Sequence, residues 1–344
     1  MGYQRVVKPK FYIDTLSYLH ATGKERYFDK TDLLYGNPVS IVKYDQSNIL
    51  TSIGMSITND SADFIPPLPI NFVATLNHNF VDLNIYTQIY TGINESVIIG
   101  QGDGGSLSSS VNSSETQSIG FCGFTLEVLN TPIVDEILDI TLGTSNSAAE
   151  FGKRYLGSWM IGSTWSPPHN PNLTYTHDRK YDGIKLKETK GGHTLGTINY
   201  LTSDWAGHNQ FELWKYPTDN FIPTENNMFI EDPNLKLGRT SKRSWKLQWD
   251  DISDSEMFAE LEQSNDINDL SSSNFDNPFI ESDSFISRVW TPTLGGKLAF
   301  LFQFDDSNNN PDNFAICRLK QRSLKITPKA PNLYNFSITI EEVC

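Results

Sequence analysis

Apolar and polar residues alternate with a period of two in several segments of this 344-residue chain. The pattern is clearest at residues 124–128, 138–142, 245–250 and 336–341. Because successive side chains of a strand point to opposite faces of a sheet, each segment is typical of a strand with one buried and one solvated face. Clusters of Gly, Asn, Asp, Pro and Ser between the segments favour turns. The sequence therefore predicts a mainly β protein built of antiparallel sandwich or barrel domains.

Helices are expected to be few and short. In the segment 253–262, Ser253 and Glu256 have the spacing of a capping box. In this motif the side chain of each residue accepts a hydrogen bond from the backbone N–H of the other. An apolar stripe at helical spacing follows, formed by Met257, Phe258 and Leu261. A second candidate helix begins near Phe11 and includes Leu16, Tyr18 and Leu19. The fold class is thus mainly β with one or two short helices.

One strand segment, residues 298–304, is apolar on both faces over its first part, which indicates a central strand or a contact between subunits. Together with residues 285–290 it has more apolar surface than one face of a single sandwich needs. We therefore expect part of 285–304, or the strand beside it, to contact a neighbouring subunit. The candidate interface residues are Phe285, Val289, Trp290, Leu298, Phe300, Phe302 and Phe304.

Tryptophan is distributed unevenly, because all seven tryptophans lie beyond residue 158. This shift in composition, next to the Gly-, Ser- and Ala-rich stretch 143–149, predicts a domain boundary. The expected units are an N-terminal β domain at 1–148 and a Trp-rich C-terminal β domain at 149–344. The tryptophans of the C-terminal unit indicate either a bulky β core or a surface that stacks on sugar rings. Trp245 and Trp249 share one face of a strand and are expected in the core.

The charge excludes some partners. With 27 basic and 41 acidic residues the formal net charge is −14, which repels phosphate backbones and anionic membrane surfaces. No segment approaches the roughly 20 apolar residues of a membrane helix, and no secretory signal is recognised, so we expect a soluble chain that inserts in no membrane. From Leu247 to Ser287 there are eleven acidic residues and no Lys or Arg. This stretch is typical of a solvated helix with acidic flanks or of a face that binds a cation or a partner.

The motifs that carry chemistry are weak. The glycines at 100–105 are followed by Ser and Asn, not by the Gly-Lys-Ser/Thr and helix of a phosphate-binding loop. Four of the six histidines lie at 169–208 near three aspartates, so a fold could gather them around a metal, but none has paired helical spacing. The segment 306–312 begins like a calcium loop, yet Pro311 stands where Gly is required and Cys317 where the bidentate acid is required. We expect no catalytic, cofactor or metal site.

Cysteine content also argues against a disulfide framework or a zinc site. The three cysteines, Cys122, Cys317 and Cys344, cannot all pair and have no CxxC spacing. They are expected to be incidental thiols in a reducing compartment.

The C-terminal segments follow a distinctive order. A strand at 239–249 with Arg and Trp is followed by the capped helix, by 285–305 with its Gly-Gly turn and Asp305, and by 314–320 and 331–341. This order resembles a module of tailed-bacteriophage tail proteins, in which an Arg-x-Trp-type strand leads to a helix, a Gly-containing turn, a strand ending in Asp and a final strand. Such modules form rings in tail tubes, distal tail proteins and baseplate parts. The resemblance covers residues 239–344.

The resemblance implies a virion structural protein of a tailed phage, a ring-forming or adaptor component of the tail. It implies a homo-oligomer that contacts other virion proteins, is assembled in the host cytoplasm and remains in the virion. Three alternatives stay open: a carbohydrate-binding module or adhesin that binds a host-surface glycan, a capsid decoration protein and, last, a polysaccharide-degrading enzyme. The resemblance supplies no catalytic residues, and a β fold alone does not choose among these functions.

Overall fold

The computed structural model describes residues 7–22, 33–36, 42–44, 55–58, 68–78, 85–91, 95–101, 116–121, 124–135, 137–144, 154–180, 184–198, 242–258, 283–309 and 313–343. Strands dominate this part of the chain, and the helices are few and short. The mainly β, antiparallel fold class predicted from the alternating segments is confirmed.

The elements follow one another along the chain in this order. The first half of the strands are β1 (Lys10–Asp14), β2 (Val42–Tyr44), β3 (Met55–Thr58), β4 (Leu68–His78), β5 (Ile85–Thr91), β6 (Glu95–Gln101), β7 (Thr116–Phe121), β8 (Phe124–Asp135) and β9 (Ile137–Thr144). The second half are β10 (Arg154–Trp165), β11 (Thr176–Lys180), β12 (Ile184–Glu188), β13 (Thr194–Ile198), β14 (Lys242–Ser253), β15 (Phe300–Gln303), β16 (Phe314–Leu319), β17 (Ile326–Ala330) and β18 (Leu333–Glu342). The helices are α1 (Thr15–Thr22), α2 (Asp254–Met257) and a π-helical turn (Ile286–Trp290).

One large antiparallel sheet, here called the main sheet, organises the fold. Its strands lie in the order β11-β14-β18-β16-β15-β1-β10-β4-β8-β7, and β17 and β2 add to β18 and β10. Two smaller sheets have the orders β3-β9-β5-β6 and β12-β13. The main sheet takes strands from both sides of residue 148, and β1 lies between β10 and β15. The main sheet therefore continues across the domain boundary predicted near residue 148. Whether residues 1–148 and 149–344 fold independently stays a prediction.

The central strands of the main sheet are buried on both faces. On β15, Phe300 and Phe302 belong to one core cluster, whereas Leu301 belongs to another. Neighbouring β1 divides in the same way, with Phe11 in the first cluster and Tyr12 in the second. We call the first the C-terminal core. Because β15 has β1 on one side and β16 on the other, the central-strand interpretation of residues 298–304 is confirmed.

The C-terminal core rests on the inward face of β14 and β18. Trp245, Leu247 and Trp249 are at most 1% exposed, and the rings of Trp249 and Phe336 stack with centroids 5.1 Å apart. The intervening residues of β14 point the other way and are exposed at positions 246 and 248. The predicted register, with both tryptophans in the core, is confirmed.

The helix after β14 is shorter than the sequence predicted. The Glu256 carboxylate accepts hydrogen bonds from the Ser253 N–H at 2.9 Å and the Ser253 hydroxyl at 2.7 Å, so these two residues interact as expected. However, Phe258 is extended, with φ −101° and ψ 151°, and the helix ends at Met257. Buried Met257 joins the C-terminal core, and Phe258 contacts Tyr334 edge-on. Leu261 lies outside the described residues.

The first helix begins later than expected, because Phe11 is part of β1 and the helix starts at Thr15. Its residues 15–19 are buried against the main sheet. In the described part of the chain, every helix is too short or too polar to cross a membrane.

Two consecutive glycines make the turn before β15. Gly295 and Gly296 both have positive φ, 67° and 84°, a conformation that costs other residues strain. Space also matters at Gly296, because a Cβ there would lie 2.4 Å from the Cβ of Leu319. The Thr293 hydroxyl closes the turn by donating to the Val289 carbonyl at 2.6 Å and accepting from the Gly296 N–H at 3.1 Å.

Candidate interaction surface

The predicted interface residues divide into two groups. Four of the seven are 0% exposed within one chain and belong to the C-terminal core: Phe285, Val289, Phe300 and Phe302. The other three are half-buried: Trp290, Leu298 and Phe304. The expectation is corrected for the first group, because their apolar surface is covered by their own chain and is not available to a neighbouring subunit. For the second group an intersubunit contact stays a prediction.

Aromatic rings reach the surface around Phe304. Its ring lies 5.5 Å from Tyr175 and 5.8 Å from exposed His177, which stacks on Trp245 at 5.3 Å. The tryptophans themselves are poorly placed for sugar stacking in the described part of the chain. Four are buried there and one is half-buried: Trp159, Trp165, Trp245 and Trp249, and Trp290. Trp205 and Trp214 of the predicted sugar-binding surface lie outside the described residues.

Metal-ligating side chains are dispersed in the part of the chain that the structure describes, where no three His, Cys, Asp or Glu residues are grouped to hold an ion. His169, His177 and His193 are exposed in this part, and His208 lies outside it. Cys317 is a buried free thiol in the C-terminal core, and Cys122 and Cys344 are also outside the described residues.

The loop that resembles the start of a calcium site is held by its own polar groups. The Asp305 carboxylate accepts from the Ser307 N–H at 3.2 Å and the Ser307 hydroxyl at 2.7 Å. The buried Asn313 amide donates to the carbonyls of Asp305 and Asn308. These bonds fix the long turn between β15 and β16.

A buried ion pair joins β14 to β18. Arg243 and Glu342 are both 2% exposed at the side chain, with Nη2 to Oε1 at 2.8 Å and Nε to Oε2 at 3.0 Å. The Arg243 backbone N–H also donates to Oε2, and Nη2 donates to the Phe314 carbonyl on β16 at 2.6 Å. Such bidentate geometry compensates the loss of hydration that buried charges suffer. The pair therefore fixes the register of three strands.

Sequence reasoning missed this pair, although the signal was present. The period-two pattern that places Trp245 inward also places Arg243 inward, and the pattern that buries Ile340 also buries Glu342. Two opposite charges on the inward faces of two strands indicate a buried ion pair, since an isolated buried charge is too costly.

A second buried carboxylate, Asp14, lies where β1 meets α1. Its oxygens accept the Ser17 hydroxyl, the Ser17 N–H at 3.1 Å and the Ile161 N–H at 3.4 Å. The Ser17 hydroxyl in turn accepts the Tyr35 N–H at 2.8 Å. Burial raises the pKa of Asp14 to about 6, although these hydrogen bonds oppose the shift. Asp14 thus connects β1, α1, β10 and the segment 33–36.

One end of the main sheet presents polar strands to solvent. The terminal strand β11 is exposed at all five residues, and among the described residues it pairs only with β14. On β11, β14, β18 and β16, the side chains that point away from the C-terminal core form a surface that we call the open face. Its charged residues are Lys180, Lys242, Lys246, Arg318 and Lys320, with Asp178, Asp250 and Glu341.

No family model matches this chain, and neither the curated proteins nor the solved structures contain a match.

Proposed function

We propose that this chain is a structural component of a tailed-phage virion, which forms a homo-oligomeric ring or adaptor in the tail. The observation that carries the proposal is the order of elements at 239–344. There β14, with Arg243 and Trp245, is followed by α2, the Gly295–Gly296 turn, β15 with Asp305 after it, and β18 as the last strand. This is the order of the phage tail module that the sequence resembles.

The residues that carry the resemblance have structural roles in this fold. Arg243 forms the buried ion pair, Trp245 fills the core, and Gly296 allows a close approach to Leu319. Asp305 holds the loop after β15. Side chains used for folding in this way suit a scaffold whose function is assembly, and so they support a structural role over catalysis.

The main sheet also offers unlike edges for assembly. In the described part of the chain, β11 pairs only with β14 and β7 pairs only with β8, at opposite ends of the strand order. Free strand edges pair readily with other chains. A contact between two different surfaces repeats from copy to copy and closes into a ring when the rotation permits. Edge pairing of this kind is compatible with a ring component.

The proposal is tested by the mass and symmetry of the full-length protein, purified without its virion partners and imaged by electron cryomicroscopy. We expect a discrete cyclic oligomer whose subunit contacts bury more than about 1,000 Å² in total. A monomer at all concentrations that binds host-surface glycans on an array would contradict the proposal and favour the adhesin alternative.

A further inference from the structure

The segment 313–340 is basic in a chain that is acidic as a whole. It contains no Asp or Glu, whereas the formal charge of the whole chain is −14. Its five cations are all exposed: Arg318, Lys320, Arg322, Lys325 and Lys329. Exposed charges of one sign repel each other, and a complementary anionic partner would relieve that repulsion.

Four of these cations and one from β14 form a surface that we call the basic strip: Arg318, Lys320, Arg322, Lys325 and Lys246. Arg318 and Lys320 flank buried Leu319, so both side chains point to the open face. The Lys320 N–H donates to the Thr339 carbonyl on β18 at 2.8 Å, and Thr339 lies opposite Lys246. The strip therefore crosses three neighbouring strands.

The backbone that carries the strip is held in place. The Gln321 side-chain amide donates to the Ser337 carbonyl at 3.3 Å, and its oxygen accepts from the Thr339 N–H at 2.8 Å. These bonds tie the loop after β16 to β18. At the end of this loop, Leu324 and Ile326 pack against the C-terminal core. The cations therefore extend from a fixed support, which lowers the conformational entropy lost when a partner binds.

Most of the charge of the strip is not neutralised by its own chain. Glu341 lies opposite Arg318 on the neighbouring strand and pairs with Lys320. Within the part of the chain that the structure describes, the other four cations of the strip form no ion pair. Five cations against this one carboxylate leave an excess of four positive charges.

The spacing of the charges indicates the kind of anion that fits. Arg318 and Lys320 are two residues apart on one side of the sheet, a distance of about 7 Å, and Lys246 lies two strands away from Lys320, about 10 Å. An extended peptide with carboxylates at alternate residues repeats its charge every ~7 Å as well. Duplex DNA carries one charge per ~1.7 Å, so most of its phosphates would have no cation here.

The surface offers little to a nucleobase or a lipid chain. The exposed uncharged side chains around the strip are small and polar, namely Ser323, Thr327 and Ser337. The large apolar side chain that is exposed in the described part of the chain is Leu173, which lies before β11. Stacked bases and inserted acyl chains need aromatic or apolar side chains. An acidic peptide needs only opposite charge and hydrogen bonds.

We propose that the basic strip binds an extended segment of another virion protein that carries carboxylates at alternate residues. The inference names the chemistry of a partner, and it rests on the proposed function for that partner being a virion protein. Exposed ion pairs are individually weak and are screened over about 10 Å at 0.1 M salt. The contact therefore sets orientation and partner choice more than stability, and it weakens steeply as salt is added.

The first experiment reverses charge on the strip. The double variant Arg318→Glu, Arg322→Glu is compared with the control Lys187→Glu, Lys190→Glu, which changes the net charge equally at exposed sites of the β12–β13 hairpin. Fluorescence anisotropy measures binding of a labelled peptide of alternating Glu and Thr to the full-length proteins at about 0.05 M and about 0.5 M NaCl. At low salt we expect the strip variant to bind at least about tenfold more weakly than the unmodified protein. The control should bind like the unmodified protein.

The second experiment identifies the kind of anion. The alternating peptide is compared with a peptide of the same composition whose Glu residues form one block, and with an oligothymidylate of equal charge. We expect the alternating peptide to bind most tightly. A block peptide that binds equally well would contradict the match in spacing. Tighter binding of the oligothymidylate would identify a phosphate polymer as the ligand and would overturn the inference.

The outcomes separate this inference from the proposed function. A cyclic oligomer that binds the peptide equally with and without the Arg318→Glu, Arg322→Glu changes would overturn the inference and leave the structural role intact. A monomer that binds the peptide through the strip would overturn the ring and leave the acidic-peptide site. Self-association that is lost in the strip variant, without peptide binding by the unmodified protein, would assign the strip to a neighbouring copy and overturn the inference. A strip variant with an altered melting temperature would be replaced by Arg318→Gln, Arg322→Gln, for which we expect the same direction of effect.

Discussion

Two of the carboxylates that the main sheet buries, Glu342 and Asp14, are compensated by different means. At the β14–β18 end, Glu342 meets a guanidinium and is bound by two of its nitrogens. At the centre, Asp14 meets only hydroxyl and backbone N–H donors, and burial raises its pKa to about 6. The first arrangement fixes a strand register through a bidentate ion pair. The second makes the stability of the junction of β1, α1 and β10 fall as pH rises toward the pKa of Asp14.

Breaking the ion pair has the largest expected effect. Arg243→Met leaves the Glu342 carboxylate buried without its cation, which typically costs about 3–5 kcal/mol of the unfolding free energy. The control Arg243→Met, Glu342→Leu removes both charges and should recover most of that loss. Urea unfolding of the three proteins measures the difference. If the single and the double variant unfold at the same urea concentration, the pair is not what stabilises this end of the sheet.

The variant Asp14→Asn tests whether buried Asp14 makes the stability of the fold depend on pH. The native pKa of Asp14, about 6, lies above its usual value of 3.8, so the folded state binds the proton more tightly than the unfolded state. Between these values stability falls as pH rises, and the whole shift corresponds to about 2–3 kcal/mol. The unmodified protein should therefore gain about that much stability relative to Asp14→Asn on going from pH 7 to pH 4. Parallel urea titrations at the two pH values measure this, and equal changes in both proteins would contradict it.

Close backbone packing beside Asp14 is tested at its strand partner, Gly162. A Cβ at Gly162 would lie 2.1 Å from the Ile13 carbonyl oxygen and 2.6 Å from the Thr15 nitrogen. Gly162→Ala should cost about 1–3 kcal/mol, because backbone atoms must move to accept the methyl group. Gly191→Ala is the matched control, since the nearest atom to its new Cβ is His193 Cδ2 at 3.9 Å. Melting temperatures should separate the two variants.

The smallest expected effect is at an exposed pair. Lys329 and Asp251 lie 2.8 Å apart, as close as the buried pair, but their side chains are 50% and 51% exposed. Water and salt screen such pairs. Lys329→Met should therefore leave the urea midpoint unchanged, and a shift as large as that of Arg243→Met would mean that burial does not explain the difference.

Local pattern predicted much of this fold. The period of two located β8, β9, β14 and β18 and the inward tryptophans, because burial on one face of a strand is recorded directly in the sequence. The length of α2 was overestimated. Phe258 belongs to the apolar stripe that indicated a helix, but its backbone is extended and its ring packs on Tyr334.

Properties that depend on strand order were not accessible from local pattern. The segment 285–304 seemed to have more apolar residues than a single core needs, because only one face of a sheet was considered. In the structure β15 contributes side chains to two cores, one on each face. The open face likewise depends on β11, β14, β18 and β16 being neighbours, although they are distant in sequence. Alternation assigns a residue to a face of its strand, but the neighbouring strand is set by the topology.

The position of β1 has a consequence for biosynthesis. Tyr12 hydrogen-bonds Gln303, a residue 291 positions later, and β1 pairs with both β10 and β15. A ribosome adds about 5–20 residues each second, so β1 emerges on the order of tens of seconds before its second partner exists. During that time one side of β1 stays unpaired, and neighbouring nascent chains on a polysome present the same strand. Slow closure of distant strand pairs exposes such edges to association, so chaperone binding to the nascent chain should be greatest before residue 303 leaves the exit tunnel.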